Sequence, residues 1–190
     1  MRFAAAFGRP YSFRNMLGKR NIYLIGPMGT GKTAVGKQLG KLLGVPFLDS
    51  DAEIEKHAGV DIPYIFEREG EGGFRQRERD AIAELCRREN IVLATGGGAV
   101  LAPETRRLLH ETGVVIFLQT SLAQQMQRVG KGRGRPLLKG TDLAQRLTEL
   151  REARDPLYRE IADYTISTDN RRVSRVAEMI LNDLGRRAAS

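Results

Sequence analysis

A glycine-rich stretch between a mostly apolar segment and an amphipathic segment constrains this 190-residue chain more than any other feature. It runs from Gly26 to Thr33 and follows the pattern G-x-x-x-x-G-K-[ST]. The preceding segment, residues 21–25, predicts a strand, and residues 34–43 predict a helix. Glycines let several backbone N–H groups converge on phosphate oxygens at the positive end of a helix. The stretch therefore predicts a nucleotide phosphate site, although an ordinary glycine-rich turn before a helix would have a similar composition.

The pattern also assigns chemistry to its individual positions. Lys32 is expected to reach the β- and γ-phosphates, and the Thr33 hydroxyl is expected to coordinate Mg²⁺. Further ATP contacts are expected from the loop and the first helical turn, at Gly29, Thr30, Gly31 and Ala34. These residues predict phosphate binding and leave open what happens to the phosphate.

Length and composition favour one globular domain with room for a small lid. The chain is 41% hydrophobic and 28% charged, and no apolar run approaches the roughly 20 residues that cross a bilayer. Cys86 is the only cysteine, which excludes an internal disulfide and argues against a transition-metal site. We expect a cytoplasmic monomer without a membrane partner.

The positive charge of the chain is concentrated at its start. Residues 1–20 contain five cations and no acid, which leaves +3 of the net charge of +8 for residues 21–190. No basic stripe with interleaved aromatic residues follows, so nucleic acid is not the expected partner. We expect residues 1–20 to be a poorly ordered basic extension, with a targeting peptide or a start at Met16 as alternatives. Residues 21–190 are expected to form the single domain.

Two aspartates follow the second predicted strand. Residues 45–48 form a short apolar run that leads into Asp49-Ser50-Asp51. Ligands of parallel α/β sheets bind outside the carboxyl ends of the strands, so both aspartates are expected to face the triphosphate. A helix N-cap at Asp51 is the simpler alternative, but a cap explains one aspartate and not the pair.

The rest of the chain alternates between helical and strand patterns. Helices are predicted at residues 62–69, 73–90, 103–111, 121–129, 142–154 and 173–184, and strands at residues 90–95, 114–118 and 164–168. Asp155-Pro156 is expected to break the helix before it. The alternation predicts an α/β fold in three layers, with a five-stranded parallel sheet and helices on both faces.

Two glycine-rich segments outside the phosphate loop stand out. Gly96, Gly97 and Gly98 directly follow a predicted strand, which suggests that backbone approaches a ligand there, although an irregular turn would also explain them. Residues 130–141 combine glycines with cations and lack apolar periodicity. They predict a mobile lid that closes on phosphate, with a flexible basic linker as the alternative.

Residues from 21 to about 184 resemble the shikimate kinase family. The matching segments, in chain order, are Gly26 to Thr33, Asp49-Ser50-Asp51, the F-R-x-x-E segment from Phe74 to Glu78, the triple glycine, the lid residues Arg135 to Leu138, and the R-x-P-L-Y segment from Arg154 to Tyr158. The resemblance implies a P-loop kinase fold with a mobile lid. It also implies transfer of the γ-phosphoryl group of ATP to the 3-hydroxyl of shikimate.

The resemblance assigns roles to individual residues. Arg75, Arg154 and a backbone N–H of Gly97 would bind the carboxylate and ring of shikimate. Asp51 would bind the ring hydroxyls and orient or deprotonate the 3-hydroxyl, and Asp49 would hold Mg²⁺ through water beside Thr33. The remaining assignments concern ATP: Lys32 and Arg135 at the transferring phosphoryl group, and Arg128 and Arg172 beside the adenine.

Two other functions remain open at this point. A P-loop kinase of another polyol acid, such as gluconate, would share the fold and the ATP site but would lack the set of Arg75, Gly97 and Arg154. A nucleotide-dependent module that binds nucleic acid without catalysis would fit the sequence pI of about 10.0. In that case binding should disappear when residues 1–15 are removed.

Overall fold

The structure, a computed structural model, describes residues 21–130 and 142–188. The predictions for the basic extension, for almost all of the lid and for Arg135 lie outside these residues. The described strands are β1 (Asn21–Ile25), β2 (Phe47–Asp49), β3 (Val92–Ala94), β4 (Gly113–Gln119) and β5 (Tyr164–Ser167). The described helices are α1 (Lys32–Leu43), α2 (Ser50–Ala58), α3 (Ile62–Leu85), α4 (Pro103–Thr112), α5 (Leu122–Val129), α6 (Leu143–Ile161) and α7 (Val173–Ala188), with a 3-10 turn at Ala99–Leu101.

The five strands form one parallel sheet in the order β2-β3-β1-β4-β5. Ile22 of β1 aligns with Val92 on one side and with Val114 on the other. Each strand returns to the sheet through a helical connection, so all five carboxyl ends meet at one edge. The predicted α/β fold with a five-stranded parallel sheet is confirmed.

Alternation along β1 separates two cores. Ile22 and Leu24 face the core that α1 and α7 cover, whereas Tyr23 and Ile25 face the core that α3, α4 and α6 cover. All five residues of β1 are buried. A central strand covered on both faces needs apolar residues on both sides, which explains why the sequence of β1 is mostly apolar.

The helix containing Pro156 differs from the prediction. It continues through the proline to Ile161, so the predicted break at Asp155-Pro156 is wrong. Proline removes one helical hydrogen bond, but Tyr158 and Ile161 after it are buried against the sheet. The burial of these side chains offsets the lost bond, and α6 carries Arg154 to the carboxyl edge of the sheet.

The two helices predicted between residues 62 and 90 occur as the two arms of α3, which a residue with non-helical backbone angles separates. The kink is at Gly70, whose φ of 69° and ψ of −176° are open mainly to glycine. The helix ends at Leu85 rather than at residue 90. The kink changes the direction of α3 just before Arg75.

None of the helices among residues 21–130 and 142–188 combines the length and the apolar character that crossing a membrane requires.

Asn21 provides a test of how the sheet is anchored at the edge opposite the P-loop. Its side chain donates to the Arg88 carbonyl at 2.8 Å and accepts from the Ile91 N–H at 3.2 Å. Asn21→Ala should lower the free energy of unfolding by about 1–3 kcal/mol, because it leaves buried polar groups without partners. The turnover number per folded molecule should not change. Urea unfolding followed by circular dichroism measures the loss.

The matched control for Asn21→Ala is Asn182→Ala. Asn182 is exposed on α7, so this change should alter stability by less than about 0.5 kcal/mol. Equal losses in the two variants would contradict the anchoring role of Asn21.

Candidate active site

The glycine-rich loop connects β1 to α1 and leaves the start of α1 open. Gly31 is the N-cap of α1, has a φ of 88° and provides no side-chain cap. The first N–H groups of α1 therefore have no capping side chain, and the positive end of the helix faces the carboxyl edge of the sheet. This is an arrangement that favours phosphate oxygens.

Lys32 is held against the loop that precedes it. Its Nζ donates to the carbonyls of Gly26 at 2.7 Å and Pro27 at 3.0 Å. The ammonium therefore lies over the mouth of the loop, where it also lowers the pKa of Asp51 in opposition to larger effects. The contact of Lys32 with the β- and γ-phosphates stays a prediction.

Asp49 joins the P-loop to α2. Its Oδ2 accepts from the Thr33 hydroxyl at 2.8 Å, and its Oδ1 accepts from the Asp51 N–H at 3.1 Å. Asp49 is thus the N-cap of α2, so the alternative of a cap at Asp51 is wrong. Asp51 lies inside the first turn, and its own carboxylate is not used as a cap.

Thr33 and Asp49 also form the candidate metal site. Hydroxyl and carboxylate oxygens suit Mg²⁺, which usually takes one or two protein ligands and fills its octahedron with water and phosphate oxygens. In the part of the chain that the structure describes, no three histidine, cysteine, aspartate or glutamate side chains are arranged so that they could together hold a metal ion. The oxygen pair fits a Mg²⁺ ion shared with a nucleotide better than a metal enclosed by protein.

Asp51 has an unusual electrostatic environment. Its Oδ1 is buried and has no hydrogen-bond partner. Burial, followed by the negative charges of Asp49 and Glu78, raises the pKa of Asp51 from its ordinary value of 3.8 to about 7. A carboxyl group with such a pKa can accept a proton near neutral pH.

The triple glycine makes room for these charges. A Cβ on Gly96 would lie 2.2 Å from Glu78 Oε1 and 2.8 Å from Asp51 Oδ1. A Cβ on Gly98 would lie 2.1 Å from Arg75 Nη1. The glycines therefore serve side chains from other elements, which the interpretation as an irregular turn does not explain.

Arg75 lies between two carboxylates on α3. Its Nη1 donates to Glu78 Oε2 at 2.6 Å, and its Nη2 donates to Glu71 Oε1 at 2.9 Å. Burial acts to lower the pKa of Arg75, but Glu78 and Glu71 outweigh it and the net effect is to raise that pKa. Burial raises the pKa of Glu78 despite the opposing effect of Arg75.

Arg154 is buried without a carboxylate partner among the described residues. Only 6% of the residue is exposed, and its hydrogen bond in the structure runs from Nη1 to the Gly97 carbonyl at 3.3 Å. Burial lowers the pKa of Arg154. Tyr158, one turn later on α6, donates its hydroxyl to the same carbonyl. A buried cation without a counter-ion is costly, so an anionic ligand would stabilise this site.

One cavity of about 320 Å³ brings these groups together. It is lined by predicted site residues from five segments of the chain, namely Gly29, Gly31, Lys32, Thr33, Asp49, Asp51, Arg75, Gly97 and Arg154. Apolar side chains from α3 form one wall, and these are Ile62, Pro63, Phe66 and Phe74. The cavity therefore combines a phosphate end, an acidic centre, a cationic end and an apolar wall.

The other predicted nucleotide contacts lie outside this cavity. Thr30 is buried and donates its hydroxyl to the Pro27 carbonyl at 2.9 Å, and Ala34 is exposed in the first turn of α1. Arg128 donates to the Gly29 carbonyl at 3.2 Å and to the Thr168 carbonyl at 3.0 Å. Arg172 is exposed and has no described side-chain partner.

Sequence reasoning missed several residues of the site. Glu78 and Tyr158 were recognised only as the last residues of two matched motifs, without a role, and Glu71 was not considered. Spacings of three and four residues from Arg75 would have identified both glutamates as helical partners. The apolar wall gave no such signal, because its side chains are indistinguishable from core residues in the sequence.

The raised pKa of Asp51 predicts a pH-dependent stability change. Because this carboxyl group binds its proton more tightly when folded, its contribution to stability is present below about pH 4 and is lost as the pH rises through about 7. Asp51→Asn should therefore stabilise the ligand-free, metal-free protein by roughly 1–4 kcal/mol at pH 8. Thermal unfolding at pH 8 and pH 4 measures this, and the difference should vanish at pH 4. A variant less stable than the parent at pH 8 would contradict the assigned environment.

Comparisons with known proteins support the same family. A family model described as shikimate kinase matches residues 28–185. A shikimate kinase from Thioalkalivibrio sulfidiphilus is 54% identical over 160 residues, which cover 84% of this chain and 84% of that protein. The solved shikimate kinase from Acinetobacter baumannii, in complex with shikimate, is 49% identical with a TM-score of 0.85, covering 87% of this chain and 93% of that one.

A kinase for a different polyol acid is similar only in its fold. A gluconokinase from Sinorhizobium meliloti has a TM-score of 0.60 at 18% identity, covering 90% of this chain and 94% of that one. This likeness extends to the three-layer architecture and not to a shared acceptor. With the family model and the relatives at about half identity, it follows that the chain belongs to the shikimate kinase family.

Proposed function

We propose that this chain transfers the γ-phosphoryl group of ATP to the 3-hydroxyl of shikimate, using the residues that line the cavity. Its family membership supports the reaction. The observation that carries the assignment of the site is Arg154, a buried cation that lacks a carboxylate partner among the described residues and shares a cavity with the P-loop and Asp51. An acceptor with a carboxylate supplies the missing charge.

Arg154 and Arg75 bind the carboxylate of the acceptor. Guanidinium groups match carboxylates because their N–H donors form parallel pairs. Arg154 donates one described hydrogen bond to a backbone carbonyl. The two carboxylates that contact Arg75 leave some of its N–H donors available. The N–H of Gly97, in the same cavity wall, adds a neutral donor. The ring then lies against Phe66 and Phe74.

Asp51 acts on the reacting hydroxyl. With a pKa of about 7, its carboxylate can orient the 3-hydroxyl and accept its proton as the oxygen attacks the γ-phosphorus. The P–O bond to the bridging oxygen of ADP breaks in the same transfer, so ADP leaves with the charge that Lys32 neutralises. Burial of the unpartnered Oδ1 strengthens its hydrogen bond to a hydroxyl.

The nucleotide end uses the start of α1. The N–H groups of Gly29, Gly31 and Lys32, with the Lys32 ammonium, bind the β- and γ-phosphates. Thr33 and Asp49 would hold Mg²⁺, and the ion would supply positive charge to the phosphate oxygens. We assign the adenine to the neighbourhood of Arg128 and Arg172, and the closing phosphate contact to Arg135, which lies outside the described residues.

The proposal extends to organisation and location. Residues 21–190 work as one domain, with residues 1–20 outside the chemistry and residues 130–141 as the lid. We propose a cytoplasmic monomer in which one chain supplies the cavity lining described above. Sedimentation measured at several concentrations reads out the oligomeric state.

A coupled assay for ADP release tests the reaction. Purified protein with ATP and Mg²⁺ should release ADP rapidly only when shikimate is added, and gluconate should not replace shikimate. Asp51→Asn is the control, and we expect it to bind ATP but to lose roughly 10²- to 10⁴-fold in turnover. ADP release at equal rates with and without shikimate would exclude the proposed acceptor.

The two arginines predict selectivity for a carboxylate. Arg75→Ala or Arg154→Ala should reduce kcat/KM for shikimate roughly 30-fold to several-thousand-fold, because removal of one partner of a buried charge pair costs about 2–5 kcal/mol. ATP binding should be almost unchanged. Steady-state kinetics with varied shikimate and fixed ATP measures both effects.

An acceptor without the negative charge completes the test of the two arginines. In the parent protein, replacing the carboxylate of shikimate by an amide should impose a similar penalty. In either arginine variant the amide penalty should shrink, because the acceptor charge has lost one of its partners. An amide penalty that stayed the same in both variants would place the carboxylate elsewhere.

A further inference from the structure

Glu71 contacts Arg75 from outside the acceptor cavity. Glu71 Oε1 accepts from Arg75 Nη2 at 2.9 Å and from Nε at 3.3 Å. Arg75 lines both the acceptor cavity and a neighbouring cavity of about 380 Å³, whereas Glu71 lines only the second of these. Glu71 therefore binds the Nε–Nη2 edge of the guanidinium from outside the acceptor cavity.

The remaining contact of Arg75 lies on the other side of the same group. Glu78 Oε2 accepts from Nη1 at 2.6 Å, and the Glu78 side chain is 3% exposed. A guanidinium group has five N–H donors, and the contacts with Glu71 and Glu78 use three of them. One donor on each terminal nitrogen is left for the carboxylate of an acceptor.

We infer that Glu71 is a positioning residue for the acceptor, which acts by fixing the guanidinium of Arg75 so that its two remaining donors face the cavity. The inference rests on the proposed function, because it takes Arg75 as a contact of the acceptor carboxylate. Glu78 holds the guanidinium only at Nη1. Contact of Glu71 with both Nε and Nη2 adds a second anchor on another edge of the group.

The kink in α3 brings Glu71 to this place. Glu71 follows Gly70, whose φ of 69° re-aims the helix, and a spacing of four residues then sets Glu71 beside Arg75. The centroid of the Phe74 ring lies 5.3 Å from the Arg75 guanidinium carbon, and the ring supports one face of the cation. Phe74 is itself fixed in a small core with Ile54 and Ile65.

Two effects of Glu71 on the acceptor oppose each other. Its negative charge repels the acceptor carboxylate, whereas its hydrogen bonds order the guanidinium. The Glu71 side chain is 51% exposed and lies behind the guanidinium, so water screens the repulsion. The ordering acts directly on the donors that the acceptor uses. We therefore expect removal of Glu71 to weaken acceptor binding rather than to strengthen it.

The first measurement is the steady-state kinetics of Glu71→Ala. KM for shikimate should rise roughly three- to tenfold, while kcat stays within about twofold and KM for ATP stays constant. Glu71→Gln retains an acceptor oxygen and should restore part of the loss. A KM for shikimate that is unchanged or lower would overturn the inference.

Glu69→Ala is the matched control. Glu69 pairs with Arg77 across the same kink through two contacts of 2.8 Å, and both side chains are exposed to a similar extent as Glu71. Its removal disturbs α3 in the same way without touching Arg75. KM for shikimate should stay at the parent value. A rise equal to that in Glu71→Ala would assign the effect to the kink and overturn the positioning role.

A double-mutant cycle with Arg75→Ala separates this inference from the proposed function. If Glu71 acts through Arg75, Glu71→Ala should change kcat/KM for shikimate in the parent and should have no further effect in the Arg75→Ala background. The same loss in both backgrounds, with Arg75→Ala itself strongly impaired, would overturn only the inference. An Arg75→Ala variant with normal efficiency would overturn the proposed acceptor site as well.

Discussion

The burial of opposite charges around the triple glycine is the constraint on which the candidate site depends. Asp51 and Glu78 approach the Gly96 backbone so closely that a Cβ there would displace them, and a Cβ on Gly98 would displace Arg75. Each of these charges would be costly if it were buried alone. Close packing around a bare backbone lets Arg75 and Glu78 compensate one another, whereas Asp51 is left with a raised pKa.

The parallel sheet supplies the frame for this cluster. The P-loop, the Asp49 segment and the triple glycine follow β1, β2 and β3, which are neighbours in the sheet and end at one edge. Hydrogen bonds then tie the three segments together, since Ser50 accepts from the Gly96 N–H at 2.9 Å and Thr33 donates to Asp49. Residues far apart in the sequence thus become one wall of a cavity. The helices α3 and α6 add Arg75 and Arg154 from the other side.

The sequence predicted the parts of this arrangement that follow from local patterns. In a parallel sheet the segments that follow the strands meet at one edge, and this rule alone brings Asp49, Asp51 and the glycines together. Arg75 and Arg154 were predicted from the resemblance to a family. Local rules failed at Pro156, because the buried side chains of Tyr158 and Ile161 outweigh the helix-breaking tendency of proline. They also missed Glu71, since its contact with Arg75 depends on the direction that α3 takes after Gly70. Neither the burial of a side chain in the folded protein nor the backbone angles of one glycine can be predicted from composition or periodicity.

The distribution of charge along the cavity bears on how an acceptor would be oriented. Asp49 and Asp51 place carboxyl groups at the centre of the cavity, and Arg154 places a cation at the far end. A carboxylate is repelled by the first region and attracted by the second, whereas a neutral hydroxyl can approach Asp51 and donate to it. An acceptor that carries both groups is therefore aligned before the phosphoryl group moves. The free protein already holds these charges in separate positions, at a cost in folding free energy. The site is therefore preorganised for phosphoryl transfer.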